Sequence, residues 1–239
     1  MFIERAASVL SLVADPVCEM WLKELNPKGE SLQTFYKEGK YRKEIYDEIV
    51  EKILSRLRET NNVCVVFYGH PGVLVYPARE AMRHAHLEGY EVRMLPGLSA
   101  EANLLADLGI DPGLTGIQSY EATSFLINRN VFDTSAGLIL WQIGSLGETR
   151  WEPTHKVQQQ RLKVLAEYLG EHYGPEHVVI LYEAAEYPLA VASVRKLCLS
   201  ELPQAEVSGA STLYVPPKEI PTVDPEMVSK LQIDWQPSA

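Results

Sequence analysis

The signatures of the commonest phosphate- and metal-dependent chemistries are missing from this 239-residue chain. It has no GxGxxG and no GxxxxGK[ST], which removes the dinucleotide fingerprint and the P-loop. No HExxH occurs, and the six histidines do not pair at ligand spacing, so no metal is expected. His84 and His86 lie two apart on an expected helix, hence on different faces. There is no GxSxG nucleophile elbow. Cysteine is scarce: Cys18, Cys64 and Cys198 sit far apart with no CxxC pair. That spacing argues against a zinc site and favours a reducing, cytoplasmic compartment. Cys64 falls in an expected strand and reads as a buried thiol. Positive charge is in deficit, 22 Lys and Arg against 32 Asp and Glu, a net charge of −10. This balance argues against unaided binding to nucleic acid or to an anionic membrane. No apolar run approaches the ~18 residues of a membrane-spanning helix. The opening MFIERAASVLSLVA faintly resembles a signal peptide, but Glu4 and the short, mixed apolar stretch argue against one.

What is present is a hydrophobic content of 46%, ample for a packed core, in a length that allows one large domain or two small ones. The loop Tyr68-Gly69-His70-Pro71-Gly72-Val73 directly follows the apolar run Val63–Phe67. A second Gly/Pro turn, Pro96-Gly97-Leu98-Ser99-Ala100-Glu101, follows another short apolar-rich run. Two strand-to-helix turns of this kind bring backbone N–H groups to one sheet edge, where open α/β sheets hold small ligands. The plain alternative for the first loop is a tight turn that needs Gly and Pro for backbone shape alone. In the functional reading Gly69 and Gly72 allow close backbone approach to a cofactor. His70 is then either a ligand contact or a polar turn residue.

Around these loops the pattern predicts helices near 16–24, 41–58, 77–88, from Ser99 to near Gly109, and over 156–170. Residues 4–14 read as a helix end running into a strand. Further strands are expected at 63–68, 90–95, 117–120, 137–142, 177–183, 193–199 and 211–215. Gly and Pro cluster in 109–116, the best domain boundary. The first half alternates strand and helix, which predicts a parallel sheet. The second half carries more strands per helix and reads as mixed α+β.

Helix 41–58 holds a second constellation. Its apolar stripe is Ile45, Ile49, Val50, Ile53, Leu54 and Leu57. Arg42 and Tyr46, with Tyr36 just upstream, lie at the head of that buried stripe. A cation near a helix start opposes the macrodipole, so something anionic is expected to compensate it. One reading is an Arg stem lying beside a core Tyr. The other is a phenol whose pKa a neighbouring guanidinium lowers, which makes it a general base.

With these residues in view, the chain resembles the tetrapyrrole methylase superfamily, S-adenosylmethionine (SAM) methyltransferases built from two α/β domains. Pro96-Gly97-Leu98-Ser99 matches that family's Pro-Gly-x-Ser/Thr turn, and Gly69-His70-Pro71 stands where the family reads Gly-Asp-Pro. The His variant is similar to one branch, the borosin peptide backbone N-methyltransferases. That likeness also rests on Met94–Glu101, Ala106–Pro112, Gln118–Ala122, Leu140–Gln142, Leu25-Asn26-Pro27 and Ser211–Pro217. The resemblance covers about residues 8–217. It implies an α/β, two-domain tetrapyrrole-methylase-like fold. Residues 1–113 would be a parallel-sheet domain, 114–217 a mixed-sheet domain and 218–239 a tail, with SAM in the cleft between the domains. It places Tyr36, Arg42 and Tyr46 at the catalytic positions. It places Tyr68, His70, Val73, Ser99, Ala100 and Gln142 at cofactor positions, with Tyr182 and Thr212 as weaker matches.

Two departures accompany the resemblance. The family opens with a strand and a Gly-rich loop, whereas this chain begins at Met1 inside what resembles the following helix, so the first strand is expected to be missing. Some borosin enzymes carry their substrate as a C-terminal extension. Here the chain ends about 22 residues after Pro217 with no run of small apolar residues, so a separate precursor peptide is the expected partner. The implied activity is transfer of the SAM methyl to backbone amides, leaving S-adenosylhomocysteine, in a protein expected to be a homodimer. The alternatives are a tetrapyrrole C-methyltransferase and a catalytically degenerate binding subunit.

Overall fold

The computed structural model describes residues 2–13, 15–153, 159–185, 187, 189–219 and 221–236. The chain divides into two compact units. Unit 1 comprises Met1–Leu108 and Gly147–Lys156, and unit 2 comprises Gly109–Leu146 and Val157–Ala239.

Unit 1 is built on a three-stranded parallel sheet of order β2-β1-β3, from β1 (Ser8–Leu12), β2 (Glu30–Ser31) and β3 (Val63–Phe67). β1 is central and buried along its whole length, in register with β3 from Ser8↔Val63 to Leu12↔Phe67. Its helices are α1 (Phe2–Arg5), α2 (Pro16–Leu25), α3 (Arg42–Thr60), α4 (Tyr76–Leu87) and α5 (Ala100–Leu108). Asp15 caps α2 by accepting from Val17 N–H at 2.9 Å, and Pro16 sits where its missing N–H costs nothing. The Asn26 of Leu25-Asn26-Pro27 has a structural task. Its buried amide donates to the Ile3 and Ala6 carbonyls at 3.0 and 3.1 Å, tying the end of α2 to the lead-in of β1.

The expected stripe of α3 is the one buried: Ile45, Ile49, Val50, Ile53 and Leu54 join Leu10, Leu12 and Leu32 in one core, with Leu57 half-buried against it. Two expectations fail in this unit. Residues 90–95 form no strand, although Tyr90 and Val92 pack on the same core. β3 pairs with β1 alone among the described residues, so its outer edge is left unpaired and the 90–95 segment makes no ladder with it, which composition alone does not decide. Cys64, on β3, is half-buried rather than buried.

Unit 2 is a five-stranded mixed sheet of order β4-β5-β8-β6-β7, with β4 (Ile117–Glu121), β5 (Gly137–Trp141), β6 (Val178–Glu183), β7 (Ser193–Cys198) and β8 (Thr212–Val215). Only β4 and β5 run parallel; the other pairings are antiparallel. The interior strands β5 and β8 are buried throughout, and β5 reads as an unbroken apolar run. The helices are α6 (Pro112–Thr115), α7 (Ala122–Ile127), α8 (Gln159–Tyr173) and α9 (Pro225–Leu231). α8 buries Leu162, Leu165, Ala166, Leu169 and Tyr173 against the sheet core. The expectation of a helix over 156–170 begins outside the described residues, and the described helix runs three residues further, to Tyr173. No helix among the described residues is long and apolar enough to cross a membrane. The described residues hold no cluster of three or more His, Cys, Asp or Glu side chains arranged to bind a metal.

Candidate active site

In unit 1 the residues at the head of α3 come together with an element that sequence reading leaves as an unassigned loop. The segment after residue 146 returns to unit 1, and its residues 149–151 lie along residues 39–42 as a strap. Arg42 N–H donates to the Thr149 carbonyl at 2.9 Å, Trp151 N–H to Lys40 at 2.8 Å and Gly39 N–H to Trp151 at 3.0 Å. The Arg150 guanidinium sits 3.8 Å from the Tyr41 ring centre, a cation–π contact, and also donates to the Gly39 carbonyl at 2.6 Å. Trp151 meets Tyr36 edge-on with ring centres 5.8 Å apart.

The strap supplies the anion that Arg42 requires. Arg42 Nη2 pairs with Glu148 Oε2 at 3.2 Å, with only 21% and 12% of the two side chains exposed. Tyr41 at the N-cap makes no side-chain capping bond, so α3 begins on a cation without a capping group. Glu148 offsets the resulting conflict with the helix dipole. Arg42 Nε is buried and has no hydrogen-bond partner among the described residues, which leaves one guanidinium donor unused.

The phenols share this neighbourhood. Burial pushes the Tyr36 hydroxyl well above the ordinary tyrosine pKa, and Tyr46 and Tyr68 push in the same direction. The Arg42 charge pulls it down and loses. The expectation of a lowered phenol is therefore reversed at Tyr36, because desolvation outweighs one guanidinium already paired with a carboxylate. Tyr46 and Arg42 also act electrostatically on Tyr68, so Tyr68, expected from sequence at a cofactor position, stands near these two residues as well. Tyr46 stacks on Tyr76 with ring centres 6.0 Å apart.

The two loops lie backbone against backbone. A Cβ on Gly97 would fall 2.2 Å from the Gly69 carbonyl oxygen, so only glycine fits there. His70 Nδ1 accepts from Gly72 N–H at 3.0 Å, which shapes the loop. Val73 is exposed after it. Ser99 is the expected N-cap, its hydroxyl accepting from Ala102 N–H at 3.3 Å, and Ala100 opens α5.

In unit 2 the remaining positions converge by register. Tyr182 pairs with Thr212, and Leu140 with Leu213, which places Gln142, Tyr182 and Thr212 at one end of the sheet. Gln142 follows β5 in a left-handed conformation (φ 60°, ψ 35°), while Tyr182 and Thr212 are buried. Sequence reading misses Glu148, Trp151 and Tyr76. The anion was expected by class, but nothing local marks a residue 106 positions away.

Residues 2–197 match the family model described as Tetrapyrrole (Corrin/Porphyrin) Methylases. The chain belongs to that family. It is 40% identical over 235 residues to a methyltransferase/ribosomally synthesized cyclic peptide gymnopeptides precursor of Gymnopus fusipes, covering 97% of this chain and 56% of the relative. It is 38% identical over 238 residues to a methyltransferase/type I borosin cyclic peptide precursor of Serendipita vermifera subsp. bescii, covering 97% and 57%. The chain thus spans little more than half the length of these relatives. Among solved structures, it superposes on a uroporphyrin-III C-methyltransferase from Thermus thermophilus complexed with S-adenosylhomocysteine. That match has a TM-score of 0.57 at 19% identity, over 91% of this chain and 88% of that one, a likeness of fold.

Proposed function

We propose that this chain binds SAM and transfers its methyl group to backbone amide nitrogens of a separate precursor peptide. The observation that carries the reading is the grouping of Tyr36, Arg42, Tyr46 and Tyr68, with a buried guanidinium donor left unused. The names of the relatives, methyltransferases of cyclic peptide precursors, support a peptide over a tetrapyrrole. The glycine-only contact of Gly97 with Gly69 and the start of α5 fit a small ligand, because both present backbone close to the surface.

When bound, SAM supplies an electrophilic methyl group on sulfur. An amide nitrogen attacks poorly because its lone pair is delocalised into the carbonyl. The chain's task is to remove the amide proton and hold the charge that moves to oxygen. A phenolate Oη of Tyr46 or Tyr36 takes the proton, and Arg42 donates to the developing oxyanion. Tyr36 is neutral at pH 7, so it must lose its own proton before serving as base, and activity should rise with pH into the alkaline range.

Calorimetric titration with S-adenosylhomocysteine tests the cofactor half of the reading, with binding near one site per chain expected. Tyr46→Phe and Arg42→Ala should keep that binding and lose methylation of a precursor peptide, read by mass spectrometry. Full turnover in both variants eliminates the mechanism. Association of two copies is expected and is checked by light scattering.

A further inference from the structure

Glu183 ends β6, one residue after Tyr182, and its carboxylate is tied into unit 2 by the turn that precedes β8. The Ser208 hydroxyl donates to Glu183 Oε1 at 2.8 Å, and the fully buried Ser211 hydroxyl donates to the same oxygen. Each hydroxyl also accepts a backbone N–H: Ser211 Oγ from Ser208 at 2.8 Å, and Ser208 Oγ from Ala210 at 3.1 Å. Ser211 N–H closes the turn onto the Ser208 carbonyl at 3.1 Å. One carboxylate therefore organises four residues of backbone. Burial raises the Glu183 pKa, but the two hydroxyls and the Arg195 charge outweigh it and leave the carboxyl below its ordinary value, hence ionised at neutral pH.

The turn is seated on a glycine. A Cβ on Gly144 would lie 1.7 Å from the Ser208 carbonyl oxygen, so the backbone after β5 and the 208–211 turn are in direct contact. Gly144 stands two residues after Gln142, Ser211 precedes Thr212, and Glu183 follows Tyr182. The three cofactor positions of unit 2 thus sit on three strand ends that a single acid links.

We propose that Glu183 is a positioning residue which, through Ser208 and Ser211, locks the 208–211 turn onto Gly144 and so fixes Gln142 and Thr212 for the adenosyl ligand. The proposal rests on the reading that this sheet end receives that ligand.

The test uses the full chain, S-adenosylhomocysteine as probe and two readouts. Glu183→Leu should weaken binding by about tenfold or more, the scale of lost hydrogen bonds to a charged group. Glu183→Gln retains a carbonyl acceptor and should recover part of the loss while the melting temperature stays close to that of the wild type. Hydrogen exchange at Ser208, Ala210, Ser211 and Gly144 should speed up in Glu183→Leu. Should that variant fail to fold, Ser208→Ala and Ser211→Ala carry the same expectations through one hydroxyl each. Wild-type affinity in folded variants overturns the positioning role. If the wild-type chain itself does not bind, the cofactor reading fails, and unaltered exchange at the four amides would separately overturn the lock.

Discussion

Arg42 is an expensive residue at the first position of a helix, and Glu148 makes it tolerable. Glu148→Gln removes the opposing charge, so the guanidinium acts undiluted on Tyr36. The Tyr36 phenol should then titrate at lower pH. The ring-carbon resonance of 13C-labelled tyrosine, assigned with Tyr36→Phe, reads this directly; an unmoved titration would mean Glu148 does not set the field. Gly97 is constrained by space. Gly97→Ala sets a methyl against the backbone oxygen of Gly69, and one turn must move. The expected cost is about 1–3 kcal/mol in a thermal melt, with weaker S-adenosylhomocysteine binding by calorimetry. Both residues were legible as special from sequence, Gly97 from its turn and Arg42 from its place on a buried stripe. Glu148 was not, because a partner across a fold leaves no mark in local spacing.

At the level of elements, α3 shows where pattern suffices. Its 3.6-residue periodicity identifies the buried face without help, and Ile49 on that face is fully buried. Ile49→Ala should cost about 2–5 kcal/mol in denaturant unfolding. In unit 2, β5 was legible by a different signal, a short apolar run bounded by turns. The 90–95 segment has strand-like composition, yet a strand needs a neighbour, which composition does not provide. The strap is the converse case. It has no periodicity, and its backbone bonds go to residues 39–42, so nothing in its own sequence says where it lies. Trp151→Ala should leave the two units folded while amide exchange speeds up at Gly39 and Arg42; unchanged exchange would show that the Trp151 ring does not hold the strap in place.

For the whole molecule, buried phenols set a limit on the alkaline side. Burial is the main cause that pushes Tyr173 from 10.0 up to about 12, and its hydroxyl is buried with no partner among the described residues. Tyr36 is raised for the same leading reason. In each case the folded state holds the proton more tightly than the unfolded chain. The stability gained is complete below pH 10 and is lost as pH rises through the folded values. Melting temperature should therefore fall between pH 10 and pH 12, and Tyr173→Phe should flatten that fall. The strap has one further consequence, which concerns time. A chain made from its N-terminus exposes Arg42 long before Glu148 leaves the ribosome, 106 residues later. Until then the helix that bears Tyr46 carries an unanswered cation at its head. The centre of unit 1 thus matures only after the first part of unit 2, residues 109–146, has been synthesised, and a nascent chain halted near residue 108 would hold Arg42 without the acid that answers it.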